Sequence, residues 1–356
     1  MLLKKLYNLG VSGDASKWFA SYLTGREQCT CVNNSLSSPL RVKHGVPQGS
    51  ILGPLLFNIY INDLPTVCVH CKVELFVDDS KLYVSFSNKD IDNAMESLKI
   101  DLTRIASWCC ANRLLINPTK TMFCVFGSSQ MLKRTAVPPV TFLGKELLTV
   151  DSVKDLGVIL DRHLSFNEHI STLVSDLMSK LYMINRIRHL LDQPTLLLVI
   201  NSLVFSKLFY CSSVWSGTSK ANVSKLQLVQ NFAARIISGK LKYDHITSTL
   251  KQLKFLPISK LLYLRDAVLT YKCRNGLAPE YLSPMFKLRS EIHNRSTRNS
   301  HKLQIPMCKT KLAQQSFSYR AVDIWNSIPK SITQVNSVKL FKKTLKSSLM
   351  TEWLAD

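Results

Sequence analysis

The sequence predicts an α+β chain, an antiparallel sheet with packed helices followed by an α-helical region and a basic tail. Three observations lead there. Short β-like runs and turn residues crowd the first 165 positions. Beyond about residue 166, apolar residues fall at helical spacing in stripes several turns long. From residue 251 onward, Lys and Arg number 19 against 6 Asp and Glu. The expected division is therefore 1–165 mixed, 166–280 helical and 281–356 basic.

In chain order, Asp14 or Ser16 can cap a short helix carrying Trp18, Phe19, Tyr22 and Leu23, with Gly25 closing it. Strand-like runs follow at Gln28 to Val32 and Leu40 to Val46, separated by Asn33-Asn34-Ser35. Gly53-Pro54 suits the first turn of another helix. Strands flank Asp78-Asp79-Ser80, and Ile91, Ala94, Met95, Leu98, Leu102 and Ile105 then mark a one-faced helix. Short strands are expected at Met122 to Phe126 and near Leu156 to Leu160. In the helical region, Ile170, Leu173, Val174, Leu177, Leu181 and Ile184 hold one stripe. The segment Leu196 to Tyr210 is apolar nearly all round and predicts a buried helix. A further stripe runs through Val223, Leu226, Phe232, Ala233 and Ile236 to a stop at Gly239. Between Pro284 and Gln315 the period is lost, which reads as a linker or basic surface arm.

Apolar residues make up 46% of the 356, enough for a packed core. The net charge of +22 favours a polyanionic partner, nucleic acid or an acidic membrane. The longest apolar runs, Ile51 to Ile61 and Leu196 to Phe205, fall short of the ~20 residues of a membrane span. The first residues carry no secretory signal, so nucleus or cytoplasm is expected. Ten cysteines in such a chain read as thiols rather than a disulfide framework. Cys68, His70 and Cys71 lack zinc-finger spacing and read better as buried side chains than as ligands.

The sharpest local signal is Leu75-Phe76-Val77-Asp78-Asp79-Ser80-Lys81-Leu82-Tyr83-Val84. Apolar residues on both sides of two adjacent acids suggest a β-hairpin with the acids at its tip. Neighbours in a regular strand point to opposite faces, so both can serve one site only if the chain turns there. Two such charges repel unless a cation joins them, and hard carboxylate oxygens suit Mg²⁺. On this segment alone, a solvated Asp-Asp turn explains the pair equally well. A second signal is the run from His44-Gly45-Val46-Pro47-Gln48-Gly49-Ser50 to Asn62-Asp63-Leu64-Pro65, which joins a Gly/Pro-rich loop to the start of an apolar helix. Such a loop can bring its backbone close to a ligand.

Together these runs resemble reverse transcriptases of non-LTR (LINE-type) retrotransposons. The loop resembles the family's fingers-to-palm motif, and Phe76-Val77-Asp78-Asp79 its aromatic-x-Asp-Asp motif. Asn117-Pro118-Thr119-Lys120-Thr121 resembles the next motif, and Val153-Lys154-Asp155-Leu156-Gly157-Val158 the primer-grip hairpin. The match covers about residues 1 to 165. Segments containing Gln230-Asn231-Phe232-Ala233-Ala234-Arg235 and Phe317-Ser318-Tyr319-Arg320, with Trp325-Asn326, also resemble such elements.

The resemblance implies a partial right-hand polymerase palm, a thumb-like helical region and a basic tail. It implies a two-metal Mg²⁺ site with Asp78 as principal ligand and Asp79 as supporting acid. Pro47, Gln48 and Gly49 would shape the pocket for nucleotide and template. Lys120 would neutralise leaving pyrophosphate, and Leu156 and Gly157 would position the primer end; a surface lysine and an ordinary strand end are the bland alternatives. The implied partners are an RNA template, a DNA primer and deoxynucleoside triphosphates. One departure stands out. Met1 to Leu6 resembles the helix after the family's first catalytic strand, and Asp14, beyond it, does not fit that strand. The expectation is an incomplete catalytic set, truncated at its N-terminus and weak or inactive alone. A non-catalytic nucleic-acid-binding remnant is the alternative.

Overall fold

The computed structural model describes residues 1–47, 49–292 and 299–355. They fall into two compact units, Met1–Phe123 with Gln130–Val150, and Cys124–Ser129 with Asp151 to the end.

The first unit mixes helices with small strand pairs. Among the described residues the named strands form five two-stranded antiparallel pairs, so the expected antiparallel pairing is present as separate pairs rather than one sheet. The first two pairs are too short to offer an apolar face. Glu27–Gln28 with Leu40–Arg41, and Cys31–Val32 with Ser35–Leu36, are exposed throughout. Asn33 and Asn34 both have positive φ (49° and 64°), the pattern of a type I′ hairpin turn. The expected strand at Met122 to Phe126 is reduced to one bridge, Phe123 with Thr149.

Helix Gly13–Leu23 starts from Ser12 rather than Asp14 or Ser16, and Asp14 lies in its first turn. It buries none of its side chains; Trp18 stacks on Tyr22 with ring centres 5.2 Å apart. Pro54 sits in the first turn of helix Gly53–Ile61, as its fixed φ favours. Lys5, in helix Leu2–Asn8, ties this helix down: its ammonium reaches the Tyr60 carbonyl and the Asp63 carboxylate, each at 2.6 Å. It also lies 4.8 Å from the ring centres of Tyr60 and Trp108.

Helix Ile91–Ala111 buries Ala94, Met95, Leu98, Ile105 and Cys109. On the same face it buries Asp101 completely, which apolar periodicity could not have anticipated. The Asp101 carboxylate accepts from the backbone N–H groups of Val69, His70 and Cys71 at 3.1, 2.8 and 2.7 Å. Burial alone would raise its pKa. The three N–H donors outweigh that and hold it below the ordinary carboxylate value. The bend at Cys68-His70-Cys71 is thus organised by a carboxylate. Burial, then the neighbouring Asp101 charge, pushes the Cys71 thiol up to about 12, which keeps it protonated.

In the second unit, helix Asn167–Ile187 buries the expected stripe and packs along helix Lys220–Ser238. Gly239, at φ 70°, ends the latter as expected. Leu196 to Tyr210 is not buried all round, since Leu198 and Leu203 are exposed. It forms helix Gln193–Ile200, then a π-helical turn at Asn201–Phe205. The buried residues Leu196, Ile200, Val204 and Leu208 recur every fourth position. At 3.6 residues per turn such a stripe drifts by about 40° per step, and one wider turn offsets the drift.

The expected arm at 284–315 is anchored where it is described. Phe286 and Leu303 are buried in a core with helices Ile258–Arg274, Phe317–Ser327 and Val338–Ala355, because Asn326 brackets Leu303 through both its N–H and its carbonyl. Residues 293–298 of that stretch lie outside the described residues. Among the described residues no helix is long and apolar enough to cross a membrane.

Asp101→Asn is expected to cost the first unit about 2 kcal/mol, because an amide offers one acceptor oxygen, and no charge, where the carboxylate offers two. With a folded pKa below the unfolded one, this contribution is complete above the unfolded carboxyl pKa of about 3.9 and disappears as pH falls through the folded value. Urea midpoints of both proteins should therefore differ most near neutral pH and converge in acid.

Candidate active site

The carboxylate hairpin pairs Lys72–Phe76 with Asp79–Tyr83, and its register sets Phe76 opposite Asp79. Val77 and Asp78 are therefore the two turn residues, and Asp79 opens the returning strand. The turn separates the two carboxylates from plain strand alternation, and both residues are exposed. Val77 occupies left-handed backbone at φ 56°, which a two-residue II′ turn normally gives to glycine. For a β-branched side chain that conformation is strained.

The Gly/Pro loop is braced from within. Ser50 donates its hydroxyl to the Pro47 carbonyl at 2.8 Å and accepts the Gly53 N–H at 3.0 Å. A Cβ on Gly53 would lie 3.1 Å from the Ser50 hydroxyl oxygen and 3.3 Å from the Pro47 carbonyl oxygen, so a side chain there would press on this closure. Gly49 has φ 77°, and the Arg26 guanidinium holds the Gly45 carbonyl at 2.5 Å. Gln48, expected to line the nucleotide pocket, lies outside the described residues. Ser50 and Gly53 were missed as shape-making residues; a serine three positions before the helix start was the available signal.

Lys120 ends a turn closed by Asn117, whose side-chain oxygen accepts from the Thr119 N–H and hydroxyl at 3.0 and 2.6 Å. Its side chain is exposed, and among the described residues no ion pair joins it to Asp78 or Asp79. Behind these three segments lies one apolar cluster. Phe57 and Ile61 come from the helix after the loop, Leu75 and Leu82 from the hairpin, and Leu114 and Ile116 from the strand-like run before Lys120. Buried Leu64, Ile105 and Cys109 complete it. Residues next to the loop, the acids and the lysine turn thus share one apolar cluster.

Leu156 and Gly157 belong to the second unit. They form the turn of a hairpin that pairs Ser152–Asp155 with Val158–Asp161, and both have positive φ, 44° and 88°. Among the described residues, no group of three or more His, Cys, Asp or Glu side chains is gathered to hold a metal ion. The hard oxygens of Asp78 and Asp79, exposed at a turn, suit a dication that keeps positions open for phosphate.

Residues 1–160 match the reverse transcriptase (RNA-dependent DNA polymerase) family. Over that segment, the chain is similar to members of this family. Curated relatives agree. It is 29% identical over 226 residues to a probable RNA-directed DNA polymerase from transposon X-element of Drosophila melanogaster, covering 62% of this chain and 24% of that protein. To the corresponding protein of transposon BS, from the same fly, it is 30% identical over 61% of this chain and 25% of that protein. The RNA-directed DNA polymerase of mobile element jockey from Drosophila funebris is 27% identical over 62% of this chain and 24% of its own length. The chain thus spans about a quarter of the length of these relatives. The resemblance read from the sequence, to reverse transcriptases of non-LTR elements, stands.

In this segment the strained Val77 gives a direct test. Left-handed backbone costs a β-carbon residue roughly 1–2 kcal/mol, against roughly 0.5–1 kcal/mol for the extra freedom of an unfolded glycine. Val77→Gly should therefore stabilise the first unit slightly, by up to about 1 kcal/mol, in urea unfolding. A clear loss of stability would show that the valine side chain contributes more than its backbone costs.

Proposed function

We propose that this chain supplies palm and thumb functions of an RNA-directed DNA polymerase of a non-LTR retrotransposon. What supports this reading most strongly is that residues adjacent to the loop, the paired acids and the lysine turn share one apolar cluster. In functional terms residues 1–165 would be partial fingers and palm, 166–280 a thumb, and 281–356 a basic region gripping phosphates. This division cuts across the compact units, since the proposed primer-grip hairpin folds with the helices.

In the proposed reaction, the primer 3′ hydroxyl attacks the α-phosphorus of a deoxynucleoside triphosphate. A new P–O bond forms and pyrophosphate leaves. Asp78 and Asp79 would hold Mg²⁺, which would supply charge neutralisation for the triphosphate when bound. Pro47, Gln48 and Gly49 would shape the pocket for nucleotide and template, and Lys120 would neutralise or protonate the departing pyrophosphate. Leu156 and Gly157 would position the primer end, where small displacements are costly.

With two carboxylates at the hairpin and no third gathered beside them among the described residues, turnover by this chain alone is proposed to be weak. Losing one preorganised electrostatic partner commonly costs roughly 10²–10³ in rate. The excess of basic residues from 251 onward favours a second reading, nucleic-acid binding without catalysis. Primer extension on an RNA template decides among these. The expected result is slow, Mg²⁺-dependent extension lost in Asp78→Ala. Fast extension abolished by the same change would overturn the weak-turnover reading. No extension at any metal concentration, with binding that falls steeply as salt rises, would establish the non-catalytic one.

A further inference from the structure

The hairpin carrying Leu156 and Gly157 is fixed at its base by its own unit. Val158 is buried in the helical core, and the Ile159 N–H is bonded to His169 Nδ1 at 3.3 Å. Asp161 accepts from the backbone N–H groups of His163, Ser165 and Phe166. None of these contacts reaches the tip. There two consecutive residues hold positive φ, and Leu156 adopts that backbone reluctantly.

The contact at the tip comes from Tyr210, far along the chain. Its hydroxyl donates to the Leu156 carbonyl at 2.9 Å. Its ring lies against Gly157 so closely that a Cβ there would be 3.3 Å from the Tyr210 Cε1 atom. Tyr210 is itself held from behind: fully buried Trp215 donates its indole N–H to the Tyr210 carbonyl at 3.0 Å. Arg265 donates to the adjacent Phe209 carbonyl at 3.0 Å, with its guanidinium 5.1 Å from the Phe209 ring centre. A continuous path of directed contacts therefore runs from the helical core to the turn. Yet Tyr210 is half exposed.

We infer that Tyr210 is a positioning residue for the primer end, holding the Leu156 carbonyl so that the Leu156–Gly157 turn presents a fixed surface to the primer terminus. This rests on the reading of that turn as a primer grip. An unanchored two-residue tip would sample several arrangements, and a terminus leaning on it would lose the alignment that nucleotidyl transfer needs. The phenol suits the task. It spans the gap with a rigid ring, and its single donor fits a single carbonyl.

The test uses the full chain with an RNA–DNA hybrid whose primer ends in a photoreactive 4-thiothymidine. After irradiation, the crosslinked peptides are mapped and normalised to the hybrid bound. In the wild-type chain, crosslinks are expected within residues 152–161. In Tyr210→Phe, which keeps the ring and removes only the hydroxyl, that share should fall several-fold while crosslinks spread to other peptides. Gly157→Ala, whose methyl would press on the Tyr210 ring, should do the same. An unchanged pattern in Tyr210→Phe, with wild-type crosslinks at the hairpin, would overturn the inference and leave the primer-grip reading intact. Wild-type crosslinks falling outside 152–161 would overturn both.

Discussion

Two adjacent carboxylates can face one cation only where the backbone turns between or beside them, and the proposed site depends on that geometric requirement. In this chain the turn falls on Val77-Asp78, with Phe76 and Asp79 closing the ladder. It is bought with a valine in left-handed backbone. A two-stranded hairpin is marginal by itself. It persists because Leu75 and Leu82 pack into the cluster that also receives Phe57 and Ile61 from the loop's helix. The strain at the tip and the burial beneath it are parts of one arrangement: the apolar side of the hairpin keeps the charged side in place.

The same solution recurs wherever a turn must keep one shape. A polar side chain from a distant or following segment reaches the turn's own backbone groups. Asp101 does this for the bend at Val69 to Cys71, and Asp161 for the residues leading into helix Asn167–Ile187. Ser50 does it for the Gly/Pro loop, and Tyr210 for the hairpin tip. Buried backbone donors and acceptors need partners, and turns cannot supply them internally as helices do. Each such residue is thus a structural necessity whose position decides which surface the turn presents.

This explains which features could be read from the sequence. Helical stripes such as Ile170 to Ile184 were legible because burial repeats with the helix period. The Asp78-Asp79 hairpin was legible because apolar runs flank a charged pair, and the loop because Gly and Pro are dense there. Asp101, Tyr210 and Arg320 were not, since each works through a partner 30 or more residues away. Nothing in local pattern distinguishes a buried aspartate from a solvated one on a helix. The π turn at Asn201–Phe205 was equally hidden: apolar residues crowd both sides of Asn201-Ser202 and mask the four-residue repeat that selects its buried face. The expected sheet is divided into separate pairs for the opposite reason, because turn-rich runs with β propensity were too short and too exposed to pair more than once.

The division of positive charge in the second unit follows the chemistry of its two carriers. Arg320 bonds to the Ser213 carbonyl, the Ser216 hydroxyl and Asp266, whose own carboxyl is driven upward by burial more than these partners lower it. Arg265 and Arg274 likewise bond to backbone carbonyls within the unit. A planar, weakly hydrated guanidinium suits such partly buried work. The lysines of helix Val338–Ala355 are placed differently. Phe341, Leu345 and Leu349 face the core, while Lys339, Lys342, Lys343 and Lys346 are exposed. Positive charge in this unit is therefore carried in two ways: by arginines bonded within the unit, and by lysines exposed along helix Val338–Ala355.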